Sequence, residues 1–169
     1  MACELVQGNE VLCRDSVGGI KEVYIANFSN VTSTTTTSGV CTDISMASSD
    51  KFYTFQLEKE NATYTNNPIT SVENGTLFYE STLTFTMKKM SASQKNSVKV
   101  LAQSRLMIIV LDNNGVYWLM GETRGVDLTE SSMASGQAFG DLNGSTMTFT
   151  SKEVAFDPSF TGSISAITD

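Results

Sequence analysis

The chain contains no histidine. That removes the commonest general base, and with it the Ser-His-Asp and Cys-His arrangements of nucleophilic catalysis. Proline is scarce, at two residues in 169, and only 17% of residues are charged, while Thr, Ser and Asn are abundant. Such a mix favours β structure over helical or disordered structure. The three cysteines, Cys3, Cys13 and Cys41, are widely spaced and form no CxxC pair. A zinc site would need a fourth ligand from Asp or Glu, so no metal site is expected. No apolar run approaches the roughly 18 residues of a membrane helix. The first residues lack the basic and apolar regions of a signal peptide. The expectation is a product made in the cytoplasm, with reduced thiols and no membrane insertion. Asn-x-Ser/Thr triplets at Asn27, Asn30, Asn61, Asn74 and Asn143 then read as chance matches in a Thr-rich chain.

Phosphate-binding patterns are also missing: no Walker or GxGxxG motif leads from a strand into a helix. Asp112-Asn113-Asn114-Gly115 and Asp141-Leu142-Asn143-Gly144 lack the later acidic ligands of a calcium loop and read as turns. Trp118 lies in a hydrophobic hairpin and reads as core packing. No catalytic residue, no cofactor and no enzymatic activity are expected. The net charge of −7 and pI near 4.5 weigh against nucleic-acid binding through the average field. The charge is uneven, however. Lys88, Lys89, Lys95, Lys99 and Arg105 lie within 18 residues that hold no Asp or Glu. This is a solvated face or an outward basic face for an acidic neighbour.

What the chain does have is strand periodicity. In 76–88 (TLFYESTLTFTMK), Leu77, Tyr79, Leu83, Phe85 and Met87 share one parity, interrupted by Ser81. Glu80, Thr82, Thr84, Thr86 and Lys88 share the other, with Phe78 the exception. This predicts one long strand with a buried face and a face lined by threonine toward water or a lumen. At about 3.3 Å per residue it spans roughly 43 Å, well beyond an ordinary small core. A barrel, a sandwich extension or a neighbouring subunit must cover it.

Around that strand the chain reads as one domain. Residues 1–20 form an N-terminal arm, with a short strand at 10–13. Residues 22–28 (EVYIANF) and 40–46 are strands, and 30–39 is a Thr-rich link or hairpin arm. Residues 51–60 (KFYTFQLEKE) are a strand expected to pair with 76–88 across a long connector, 61–75. That connector carries Tyr64, Asn66, Asn67, Pro68, Ile69 and Val72, and either floats or is ordered by a partner. A capping box at Ser91 and Gln94 starts the one expected helix, with Val98, Leu101 and Ala102 inward and Lys95 and Lys99 outward. Residues 106–111 (LMIIVL) predict a strand buried on both faces, returning through a turn to 116–120. Residues 127–140 read as a polar loop and 145–156 as the last strand. Residues 157–169 form a C-terminal tail that docks elsewhere. The fold class is mainly β with one α-helix: an antiparallel sandwich or barrel with a long hairpin.

This order of elements, over 52–156, resembles the tail tube proteins of bacteriophages. More distantly it is similar to the tube proteins of contractile injection and type VI secretion systems. Gly18-Gly19-Ile20 with EVYIANF, LDNNGVYWLMGETRG at 111–125 and SGQAFGDLNG at 135–144 also look like structural proteins of phages infecting Bacteroidota. The resemblance implies hexameric rings stacked head to tail, with sheets joined into a continuous barrel around a lumen that passes DNA. It implies that the 61–75 segment contacts the adjacent ring and that the helix lies outside, where Lys95 and Lys99 meet a sheath or a neighbour. Glu80, Thr82, Thr84 and Thr86 would line the lumen, and the protein would reside in the virion. A capsid decoration or head–tail connector protein, or a soluble β-sandwich binding carbohydrate or protein, are the competing expectations.

Overall fold

Two sheets of unequal size stack through the centre of the molecule, as seen in a computed structural model that describes residues 8–9, 14–47 and 49–169. The larger sheet contains β1 (Ile20–Asn27), β2 (Val31–Thr37), β3 (Val40–Met46), β4 (Tyr53–Gln56), β7 (Leu106–Asp112), β8 (Tyr117–Met120) and β11 (Ser159–Phe160). Its order is β2-β3-β11-β8-β7-β1-β4. The smaller contains β5 (Ala62–Ser71), β6 (Thr76–Lys88), β9 (Asp127–Ala134) and β10 (Gly144–Glu153), in the order β5-β6-β10-β9. Every pairing is antiparallel except β11 with β3. Helix α1 (Ala92–Gln103) connects the smaller sheet to the larger, and α2 (Ile164–Ile167) ends the chain. The fold is mainly β, as its composition predicts, and neither sheet closes into a barrel.

The core follows from the parity of β7. Leu106, Ile108 and Val110 face the smaller sheet, where they meet Leu83, Phe85, Met147 and Phe149. Met107, Ile109 and Leu111 face the other way, against Cys41, Ile44, Phe52 and Phe160. A strand flanked by two apolar layers must be apolar throughout, and all six residues from Leu106 to Leu111 are buried. On β6, Leu83 and Phe85 are fully buried while Thr82, Thr84 and Thr86 are half-exposed, which confirms the predicted alternation.

Three connections differ from the sequence expectations. Residues 51–60 do not form a hairpin with β6. Only Tyr53–Gln56 is strand, and it pairs with β1 in the larger sheet. Phe52, which breaks the alternation, turns into the second apolar layer and is fully buried. The true hairpin partner of β6 is β5, drawn from the segment read as a long loop. Residues Ala62 to Ser71 pair with Phe85 to Thr76 across a tight turn ending at Gly75, whose φ of 63° suits glycine. The stretch read as a polar loop after Gly125 is likewise a strand, β9.

The two chain ends are also held more closely than expected. Ile20 already belongs to β1, and before it Val17 and Gly18 are pinned to the β7–β8 turn. The Asn114 Nδ2 donates to the Val17 carbonyl and the Asn113 Nδ2 to that of Gly18, each at 2.7 Å. The predicted strand at 10–13, with Cys3 and Cys13, lies outside the described residues. The C-terminal tail, expected to dock elsewhere, docks on its own chain. Phe160 is buried between β3 and β8, and the Phe52 amide donates to the Ile167 carbonyl at 2.8 Å.

Candidate assembly surface

Threonines on β5, β6 and β10 cover the outer face of the smaller sheet. Thr63 and Thr65 pair with Thr84 and Thr82, and these pair in turn with Thr148 and Thr150. Their hydroxyls bond across the strands: Thr84 to Thr148 at 3.2 Å, Thr86 to Thr146 at 2.9 Å, and Thr129 to Thr150 at 3.1 Å. β-Branched side chains are restricted in χ1 on such a surface, and each cross-strand pair contributes about 0.2–1 kcal/mol. Some of the charges on and beside this face are paired. Glu80 pairs with Lys152 at 3.3 Å, and Lys88 pairs with Glu58. Asp127 and Glu130 on β9, opposite Thr150 and Thr148, are exposed on the same side with no ion pair among the described residues. The sheet therefore presents a hydroxyl-rich, net acidic face, with Glu80, Thr82, Thr84 and Thr86 on it as the sequence predicts.

Both edges of this sheet are open. β5 and β9 each have one hydrogen-bonded neighbour, and no further strand pairs with either among the described residues. An open edge offers unpaired backbone groups to another chain. Pro68 sits on β5, the kind of edge position where a missing N–H is tolerated.

The β5–β6 hairpin outruns the body. β10 follows β6 only as far as the Glu153–Tyr79 pair. Beyond it, Ile69–Phe78, Thr70–Leu77 and Ser71–Thr76 pair only with each other. This arm carries apolar side chains into water, with Val72 at the tip 95% exposed and Leu77 52% exposed. The residues expected on a connecting loop are thus distributed differently. Tyr64, Asn66, Asn67, Pro68 and Ile69 lie along β5, and only Val72 lies in the turn. Tyr64 points inward at the base of the arm and is not available to a neighbour.

Helix α1 closes the side of the sandwich between β9 and the β1–β4 edge. The Ser91 hydroxyl caps it by accepting from the Gln94 amide at 3.2 Å. The Gln94 side chain does not reach back to the cap amide; its Nε2 donates to the Lys88 carbonyl at 3.2 Å. Val98 and Leu101 are buried, whereas Ala102, expected inward, is exposed. Lys95 and Lys99 are exposed as predicted.

One buried polar cluster escaped the sequence reading. The Asp157 carboxylate is 6% exposed and accepts from the Tyr64 hydroxyl at 2.6 Å and the Ser81 hydroxyl at 2.5 Å. Burial and the nearby Glu153 and Glu122 raise its carboxyl to about 6, against the pull of the two hydroxyls. The same burial and the adjacent carboxylate push the Tyr64 phenol up. Glu153 is itself buried and accepts from the Thr123 and Arg124 amides at 3.1 and 2.8 Å.

The two Asp-Asn turns spend their carboxylates on their own backbone. Asp112 accepts from the Asn114 and Val116 amides, and Asp141 from those of Gln137 and Ala138. Trp118 packs partly buried against the core and donates to Asp112 at 3.3 Å. Comparison with protein-family models, curated proteins and solved structures gives no match.

Proposed function

We propose that this chain is a self-assembling structural protein of a bacteriophage virion, whose copies join side by side into rings that stack as a tail tube. The observation that carries this reading is the smaller sheet: both edges open, one face lined by threonine, and one hairpin longer than the body beneath it. Copies arranged around an axis would pair β5 of one with β9 of the next and remove both edges. The threonine face would then line the lumen. A hydroxyl-rich wall that also carries Asp127 and Glu130, unpaired among the described residues, has little hold on a phosphate backbone, which suits a conduit through which DNA passes unbound. The arm at 69–78, with Ile69, Val72 and Leu77 exposed, would reach the adjacent ring, and Asn66, Asn67 and Pro68 would flank that contact. Lys95 and Lys99 on α1 would face outward, toward a sheath or another tail protein. Sixfold symmetry and residence in the virion follow from the resemblance alone. In this reading the chain has no catalytic role.

Electron microscopy of the purified protein tests the reading. Rings or tubes support it. Compact particles of fixed small size would favour a decoration or connector protein. A soluble binding module is the other reading, supported by an apolar cleft of ≈ 330 Å³ between α1 and the β1–β4 edge, lined by Ile25, Tyr53, Phe55, Val100 and Leu101. A strictly monomeric protein that binds a ligand there would support it instead.

A further inference from the structure

We propose that Asp157 is a proton-operated latch at the base of the β5–β6 arm: neutral, it holds the arm to the body, and charged, it lets the arm open. The latch lies within a single chain and needs no neighbouring copy.

Residues 154–158 carry the chain from β10 in the smaller sheet to β11 in the larger. On the way they clamp the inner face of the β5–β6 hairpin just below the arm. The Phe156 ring sits 4.2 Å from that of Tyr79, Asp157 accepts from Tyr64 and Ser81, and the Pro158 carbonyl accepts from the Leu119 amide at 2.9 Å. Phe156 meets Tyr79, where the pairing of β10 with β6 ends, and Asp157 holds Ser81 and Tyr64 just inside that point. Of the two hairpin strands β10 pairs with β6 alone, so Tyr64 ties the outer strand β5 to the body. A free two-stranded hairpin is marginally stable in water, so whatever holds its base sets its order.

The groups around Asp157 are one-sided. Both hydroxyl donors reach the same oxygen, Oδ2. β5 contributes Tyr64, β6 contributes Ser81, β10 contributes Glu153, and the segment after β8 contributes Glu122. Lys152 and Glu80, the nearest opposite charges along β10 and β6, have the other parity and pair with each other on the outer face. Arg124 is exposed and meets Glu153 only through its backbone amide. No Lys or Arg pairs with Asp157 among the described residues. A buried carboxylate compensated by two hydroxyls alone, with two acids nearby, is costly to keep charged. Its carboxyl titrates at about 6 as a result. Above that value the charge is relieved by releasing 156–157 from the arm and letting water in.

Hydrogen exchange of the full chain tests this, with rates corrected for their intrinsic pH dependence. Protection of the β5–β6 arm amides is expected to fall by about tenfold or more between about pH 5 and pH 8, while that of β7 amides changes less. In Asp157→Asn the arm should stay protected throughout. Parallel pH profiles in the two proteins, or arm protection that does not change with pH in the wild type, would overturn the latch. Tyr64→Phe provides a second test that does not depend on the first variant folding. It removes one donor to the carboxylate, so the midpoint of the wild-type transition should move to higher pH. An unmoved midpoint would also overturn it.

Discussion

Ser81 breaks an apolar row on β6, and the break marks where that face meets the Asp157 carboxylate. Its presence was legible in the sequence; its partner was not, because Asp157 lies 76 residues away and no local spacing links them. The cluster has a thermodynamic signature. A carboxyl raised from 3.8 to about 6 binds its proton more tightly in the folded chain. Its contribution to stability is full below about pH 4 and is lost as pH rises through about 6. Urea midpoints of wild type and Asp157→Asn should therefore diverge across that window, the wild type losing stability relative to the variant by less than the roughly 3 kcal/mol of the full shift, because opening of the arm relieves part of the charge. A difference between the two that is constant with pH would contradict this. The core makes a plainer case. Phe85 is fully buried and its ring stacks 5.6 Å from that of Phe149. Phe85→Ala should cost about 3–5 kcal/mol in the same urea titration. Gly144 is fixed by space: a Cβ there would lie 2.2 Å from the Met87 carbonyl oxygen. Gly144→Ala should accordingly lower the melting temperature by forcing β10 and β6 apart.

At the scale of elements, legibility followed the apolar pattern. β7 was plain because both its faces are buried, and β6 because one is. β5 read as a loop because, as an edge strand, it gives the core little beyond Ala62 and Tyr64, and apart from Pro68 and the exposed Ile69 the rest of NATYTNNPITS is polar. β9 was hidden by its own irregularity. A bulge opposite Thr148 and Phe149 shifts the register, so Leu128 and Met133, its two core contacts, fall on opposite parities. β11 has two residues, too few to show any period. The arm and the helix are the elements that carry the proposed contacts, and each can be altered alone. Replacing 69–78 with Asn-Gly closes the hairpin between Pro68 and Tyr79 with a favoured two-residue turn and leaves the core untouched. The melting temperature should hold, while any lengthwise association seen by light scattering should stop. Reversing Lys95 and Lys99 to Glu should change stability by less than about 1 kcal/mol, since both are exposed. An equal loss of stability and of association in that variant would remove the helix from the list of contact surfaces.

For the whole molecule, the two sheets differ in how complete they are. The larger sheet is tied across its ends by the C-terminal residues, where the Asp169 amide donates to the Phe52 carbonyl at 3.1 Å and α2 packs under Ile44 and Phe160. The smaller sheet has no such tie, and its longest strand ends in the free arm. Both sheets end in edge strands with one neighbour, β2 and β4 in the larger and β5 and β9 in the smaller; in the proposed assembly, neighbouring copies would complete the smaller, threonine-lined one. Negative-stain electron microscopy of the purified full chain, at rising concentration, tests this most directly. The expected images are annular particles that lengthen into tubes, with the β5 and β9 amides newly protected from exchange once they form. Uniform monomers at the highest concentration, with both edges still exchanging freely, would contradict a sheet completed by neighbouring copies.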